Sequence, residues 1–321
     1  MRVMGFVHTL GSSLDNNSDS VIYLNQIPRF CYRQDFEPIS DSKYKTDRGW
    51  GCCLRSTQSM IAQFILHLYN LYPTLYMKTF SNFLASPSAS PLSLFFDTPK
   101  APFSIHNIIA NGDSTQLTAG EWAKPSVAAE SISNIFHSLG LNCTIFRDFL
   151  ISPKLENVSY PCLLLMPGLF GLNKFDVTFL PLLEAEICME GSLGFISGKG
   201  NSAYYVVGFD DKNFIYFDPH YTKPAFTKES TDDIQSLYSI QPKRIRTDKI
   251  NPSILIGIML HSPNDLENLQ IVMTGINDSP FSILEKPSEN SLDNVMDIDD
   301  LDLDDNAEEK NEKIEKDENT S

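Results

Sequence analysis

Two short stretches carry residue types that perform acyl-transfer chemistry. The first is Thr46-Asp47-Arg48-Gly49-Trp50-Gly51-Cys52-Cys53-Leu54-Arg55. Glycines flank a tryptophan, and a cysteine follows at the expected start of a helix. Flanking glycines permit a tight turn and the close approach of a substrate backbone. A helix N-terminus favours negative charge and so favours thiolate, the attacking form of cysteine. Cysteine is also a common small buried residue, so this stretch alone leaves both readings open. The second stretch is Asp218-Pro219-His220, directly after the apolar run Phe214 to Phe217. Residues i and i+2 of an extended chain project to one side. Pro219 fixes its own φ and biases Asp218 toward extended geometry. The carboxylate can then sit beside the imidazole, set its tautomer and favour imidazolium. A surface turn begun by Asp-Pro is the plain alternative. Taken together, the stretches read as nucleophile Cys52, base His220 and orienting acid Asp218. Consecutive helical residues point about 100° apart, so only one of Cys52 and Cys53 can face His220. The spacing selects Cys52 and turns Cys53 toward the apolar interior. The other histidines (His8, His67, His106, His137, His261) lie in expected helices or lack an adjacent acid, and read as structural or surface residues.

These side chains need elements to hold them. Leu54, Ile61, Phe64, Ile65 and Leu68 recur at helical spacing and predict a helix over 54–68. A second helix is expected from Ser126 to Leu139, stopped by Gly140, and a third over Phe175 to Met189. Ser202 to Asp218 reads as a β-hairpin turning at Asp210 to Asn213. Ile254 to Leu260 reads as a buried strand. Residues 11–20 and 85–91 read as loops. Helices dominate the first half and strands the second, which predicts an α+β fold.

At 321 residues and 42% hydrophobic, the chain can bury one large core or two modest ones. The net charge is −16, but residues 289–321 hold fourteen Asp and Glu against three Lys. We therefore expect a folded domain over 1–286 and a disordered acidic tail over 287–321. An acidic surface disfavours nucleic acid and anionic lipid. Six cysteines with no Cys-x-x-Cys pair are too sparse for a disulfide scaffold. Met1 to Leu10 does not read as a signal peptide, and no apolar run reaches the roughly 18 residues of a membrane span. The expectation is a reduced, cytoplasmic setting with no transmembrane segment, no metal and no cofactor.

Beyond these two stretches, the sequence resembles the autophagin family of cysteine peptidases from about Tyr32 to Leu284. Tyr32-Arg33 followed by Phe36-Glu37-Pro38-Ile39 resembles a family segment at its usual distance before Gly-Trp-Gly-Cys. Phe103-Ser104-Ile105-His106 and Gly120-Glu121-Trp122 look like the family's central helix and its active-site tryptophan. Gly171-Leu172-Asn173, Ser192 to Lys199, Asp218-Pro219-His220 and Asn251-Pro252-Ser253 follow in family order. Departures are Cys53 for a usual Met, Gly200 for a frequent Pro, Asn251 for a frequent Asp, and Ala123-Lys124-Pro125 for Tyr-Gly-Pro.

The resemblance implies a papain-like fold, with the nucleophile opening a central helix and His and Asp at a strand end of a mostly antiparallel sheet. It implies cleavage after a C-terminal glycine of a ubiquitin-like autophagy modifier, and release of that modifier from phosphatidylethanolamine, through a thioester. Membrane contact would come only through the lipidated substrate. Tyr32 would complete an oxyanion hole with the Cys52 N–H. Trp122 would wall a narrow glycine channel, with the loop Gly200, Asn201, Ser202 and Ala203 as its lid. Peptidases of the ubiquitin-fold-modifier class share Gly-Trp-Gly-Cys and Asp-Pro-His, and a silent modifier-binding scaffold is a further alternative. Phe281-Ser282-Ile283-Leu284 reads either as a short contact that adds to a modifier's sheet edge or as the last core segment.

Overall fold

The apolar runs around Cys162 to Met166 and Ile254 to Leu260 have no polar face, and the strands they form are buried on both sides. The computed structural model describes residues 2–4, 19–112, 117–155 and 158–284. The acidic tail and residues 11–18 of the expected first loop lie outside these residues. In chain order the elements are β1 (Arg2–Val3), α1 (Asp19–Gln26), β2 (Arg33–Gln34), α2 (Cys52–Leu71), α3 (Pro73–Phe80), α4 (Ile105–Ala110), α5 (Pro125–Ser138), β3 (Asn142–Ile145), β4 (Leu150–Ile151), β5 (Cys162–Leu169), α6 (Leu180–Cys188), β6 (Ser192–Lys199), β7 (Ser202–Asp210), β8 (Asn213–Phe217), β9 (Lys223–Pro224), α7 (Thr231–Ser236), β10 (Lys243–Arg246), β11 (Ser253–Leu260), α8 (Pro263–Gly275) and β12 (Ser282–Ile283).

The main sheet runs β10-β8-β7-β6-β11-β5-β3, with β1 added to β7. Every pairing in it is antiparallel except β3 with β5. Alternation along the strands divides the interior into two cores. Leu163, Leu165, Leu255 and Met259 pack with residues of α2 and α5. Cys162, Leu164, Ile256 and Ile258 face the other way, onto Leu182 and Leu183 of α6 and Leu269 and Met273 of α8. The fold is therefore α+β, with helices covering both faces of a mostly antiparallel sheet.

Helix α2 is longer and more deeply buried than its apolar spacing predicts. Every residue from Cys52 to Ile65 is buried. Several of its polar residues are consequently bonded internally. Thr57 Oγ1 donates to the Cys53 carbonyl at 2.9 Å, Gln58 Nε2 to the Phe103 carbonyl at 2.7 Å, and Ser59 Oγ accepts from the Phe30 N–H at 2.9 Å. The segment at Phe103 to His106 opens only the six-residue α4, so the central helix is α2 instead. The expected helix over Phe175 to Met189 divides after Phe179 into a short 3₁₀ turn, Val177–Phe179, and α6, which carries Pro181 in its first turn.

Phe281 is 6% exposed and packs its ring edge-on to Phe149 at 5.2 Å. Ser282 and Ile283 pair with Leu150 and Ile151. Of the two readings of this segment, core packing is the one the structure supports for Phe281.

One buried ionic network joins the segments around Cys52. Arg55 Nε donates to Asp47 Oδ2 and Arg55 Nη1 to Asp97 Oδ1, both at 2.7 Å, with all three side chains fully buried. Asp47 Oδ1 accepts from the Arg33 N–H at 2.6 Å, and Asp97 Oδ2 from the Phe226 N–H at 2.7 Å. Burial disfavours the Arg55 charge, yet the two carboxylates hold its pKa above the ordinary value. Arg55→Met removes the cation and strands two buried carboxylates. The expected loss is about 3–5 kcal/mol of unfolding free energy, read from urea denaturation. A loss below about 1 kcal/mol would contradict this role.

Candidate active site

Cys52 is the first residue of α2, and Gly51 caps it without a side-chain hydrogen bond. The first turn contains no acidic residue, so the positive end of the helix faces the thiol undiminished. The turn before it is closed by Asp47, whose carbonyl accepts from the Trp50 and Gly51 N–H groups at 3.2 and 2.8 Å. A Cβ on residue 51 would stand 2.6 Å from the Asp47 Cβ, which is why this position is glycine.

Asp218 and His220 follow directly on β8. Asp218 Oδ1 accepts from His220 Nδ1 at 2.6 Å and from the His220 N–H at 3.0 Å. A carboxylate only accepts, so Nδ1 carries its proton and Nε2 is left for the thiol. The imidazole lies near the Cys52 thiol, and each shifts the other's pKa toward its charged form. Its ring is flanked edge-on by Tyr32 at 5.3 Å and Tyr204 at 5.8 Å. Tyr32 is held by its own backbone: its N–H donates to the Pro219 carbonyl, and its carbonyl accepts from the Lys223 N–H, both at 3.0 Å. Its hydroxyl lies near the Cys52 thiol and the Gly49 backbone, both of which act on its pKa.

The electrostatics follow from these contacts. Burial opposes the Cys52 thiolate, but hydrogen bonds from His220 and the Ala203 N–H, the His220 charge and a bond from Trp122 lower its pKa overall. Burial also opposes the His220 charge, but Asp218 and Cys52 push it up to about 9. Burial opposes the Asp218 charge too, yet His220 and Lys243 hold that carboxyl below the usual range. Cys53 is fully buried, and burial raises its thiol pKa. Burial and Cys52 together raise the Tyr32 pKa, so its hydroxyl stays a donor.

The structure brings Cys52, His220, Asp218, Tyr32, Trp122 and Ala203 into one site. Trp122 remains 41% exposed. The expected lid is a tight hairpin tip rather than a loop, for Ser202 and Ala203 already belong to β7 and Lys199 pairs with Ser202. Gly200 has φ +57° at the first turn position, where a II′ hairpin turn calls for glycine. Asn251 Nδ2 donates to the Gly200 carbonyl at 2.8 Å, and the Asn251 N–H to the Gly198 carbonyl at 2.8 Å. An aspartate in that place has no N–H to offer, so the departure to Asn251 ties the tip down.

Lys243, Tyr204 and the Asp47–Arg55–Asp97 network were not singled out from sequence. Each depends on contacts between residues far apart in the chain, and no local motif marks them. Two of the remaining histidines are tied to backbone carbonyls: His106 Nε2 to that of Glu37 and His137 Nε2 to that of Cys143. His261 bonds the Tyr72 hydroxyl, and His8 lies outside the described residues.

Residues 22–271 match the family model described as the peptidase C54 catalytic domain. The chain is 29% identical over 246 residues to the probable cysteine protease atg4 of Botryotinia fuckeliana, covering 71% of this chain and 55% of the relative. It is 28% identical over 277 residues to cysteine protease ATG4b of Arabidopsis thaliana, covering 76% and 58%. It is 26% identical over 356 residues to cysteine protease atg4da of Danio rerio, covering 86% and 72%. The chain thus spans little more than half the length of the first two of these relatives.

The two thiols should differ sharply in reactivity. Iodoacetamide near neutral pH should label Cys52 and spare Cys53, as mapped by peptide mass spectrometry; preferential labelling of Cys53 would contradict the geometry. The raised His220 pKa also links to stability. Its contribution is fully present below the ordinary value of 6.5 and is lost as pH rises through about 9. Asp218→Asn, which removes most of that shift, should flatten the fall in melting temperature across this window.

Proposed function

The chain belongs to the peptidase C54 family, and on that premise we propose that it is a cysteine-type endopeptidase. Its nucleophile is Cys52, its base His220 and its orienting acid Asp218. The observation that carries this reading is the 2.6 Å hydrogen bond from His220 to Asp218, with the imidazole close enough to the Cys52 thiol to lower its pKa at the N-terminus of a buried helix. A merely structural cysteine is an inert apolar residue, as Cys53 is. The placement of Cys52 at the head of α2, with the His and Asp at the end of β8, supports a papain-like arrangement.

The substrate we propose is a ubiquitin-like autophagy modifier, cut after its C-terminal glycine or released from phosphatidylethanolamine. Both reactions are acyl transfers, so one site serves them. The thiolate attacks the glycine carbonyl carbon. The oxyanion is met by the Tyr32 hydroxyl and the Cys52 N–H, which as a first-turn donor has no partner within the helix. His220 gives its proton to the departing amine, and water then cleaves the thioester. Trp122 and the Gly200–Ala203 hairpin close over the thiol, which restricts access to a backbone without side chains and favours glycine. We take the hairpin to yield when substrate enters, because Ala203 lies against the Cys52 thiol. No described helix is long and apolar enough to cross a membrane, so we take the membrane-linked form to be reached through its modifier.

Incubation with a panel of ubiquitin-like modifiers, each extended beyond its C-terminal glycine, tests the reading by intact mass. The autophagy modifier should be trimmed to its glycine by the full chain and left uncut by Cys52→Ala. Trimming of an unrelated modifier alone would overturn the substrate assignment. Undiminished trimming by Cys52→Ala would overturn the mechanism.

A further inference from the structure

Asp218 has two oxygens, and His220 occupies only one of them. Oδ2 accepts from Lys243 Nζ at 2.8 Å. Lys243 stands on β10 opposite Tyr216 of β8, two residues before Asp218, so the strand pairing itself brings the ammonium to the carboxylate. Its Nζ also lies 5.0 Å from the centre of the Tyr221 ring, which follows His220 in sequence. The carboxylate is therefore shared between an imidazole and a fixed ammonium. The titratable groups that face His220 are Cys52 from α2, Tyr32 just before β2, Tyr204 from β7 and Asp218 itself. Lys243 is the cation that meets this set, through Asp218.

We propose that Lys243 is a positioning residue that draws off part of the Asp218 charge and so keeps His220 able to lose its proton in the hydrolytic half of the reaction. This rests on the peptidase reading above. In that half, neutral His220 takes a proton from water through Nε2. The water oxygen bonds to the thioester carbon, the C–S bond breaks, and Cys52 leaves as thiolate. The imidazole keeps the proton, which restores the resting ion pair, and the new carboxylic acid loses its own proton to solvent. An imidazole held too firmly as imidazolium would be slow here. It would remain competent in the first half, which uses the imidazolium as acid.

The test separates charge from bonding. Lys243→Met removes both, Lys243→Gln keeps a donor without the charge, and Lys243→Arg keeps the charge. The full chain is titrated by imidazole NMR, with His220 assigned from a His220→Asn variant. The Met and Gln variants should raise the His220 midpoint by about half a pH unit, and Arg should leave it in place. With an extended autophagy modifier, the Met and Gln variants should lose about threefold in thioester hydrolysis. They should then show accumulated Cys52 thioester by intact mass, while the rate of thioester formation stays unchanged. An unmoved midpoint in Met and Gln would overturn the proposal, as would equal slowing of both halves. The NMR arm needs no substrate, so it still decides the role of Lys243 if the modifier is not cleaved.

Discussion

Arg55 is buried between Asp47 and Asp97, and the geometry of the site depends on that placement. Three charges taken out of water incur a desolvation cost that their attraction repays only with close pairing and further hydrogen bonds. Here the two carboxylates are used completely. Asp47 reaches the Arg33 N–H with one oxygen and Arg55 with the other, and its backbone carbonyl closes the turn before Cys52. Asp97 bonds the Phe226 N–H. Four segments that are distant in sequence are thereby locked around the head of α2: the Tyr32 strand, the glycine turn, the chain at Asp97 and the chain after His220. A shift of any one would leave a buried charge without a partner.

That lock permits a second conflict of forces at the site itself. Burial opposes ionisation of Cys52, His220 and Asp218 alike. Each is nevertheless biased toward its charged form, because its neighbours are placed to bond that form. The positive end of α2 acts in the same direction on the thiol. Cys53, one residue on, has the burial without the partners, and its pKa moves the opposite way. The contrast between adjacent thiols shows that position, rather than residue type, sets which thiol is biased toward thiolate.

Much of this was legible in the sequence wherever the information is local. Gly-Trp-Gly-Cys before an apolar helix and Asp-Pro-His after an apolar strand pointed to the three side chains that the structure brings together. Period-two and helical spacing located the hairpin and the longer helices. The extent of burial along α2 was hidden, because Arg55 and Gln58 are met by partners far along the chain, and an amphipathic pattern does not reveal them. Lys243 was hidden for the same reason: only the register of β10 against β8 makes it a neighbour of Asp218. The Gly200–Ala203 segment was not legible as a hairpin tip held by Asn251, since that tie joins residues fifty-one apart. Phe281 was ambiguous because an apolar-x-x-apolar segment suits both a core and a docking peptide.

The central claim is that a substrate glycine carbonyl at this site meets Cys52 and no other thiol. An autophagy modifier whose C-terminal glycine is replaced by an electrophilic vinyl ester measures this directly. The full chain should gain the mass of one modifier, with peptide mapping placing the adduct on Cys52, and His220→Ala should suppress it. An adduct on Cys53, or one formed equally fast without His220, would contradict the account.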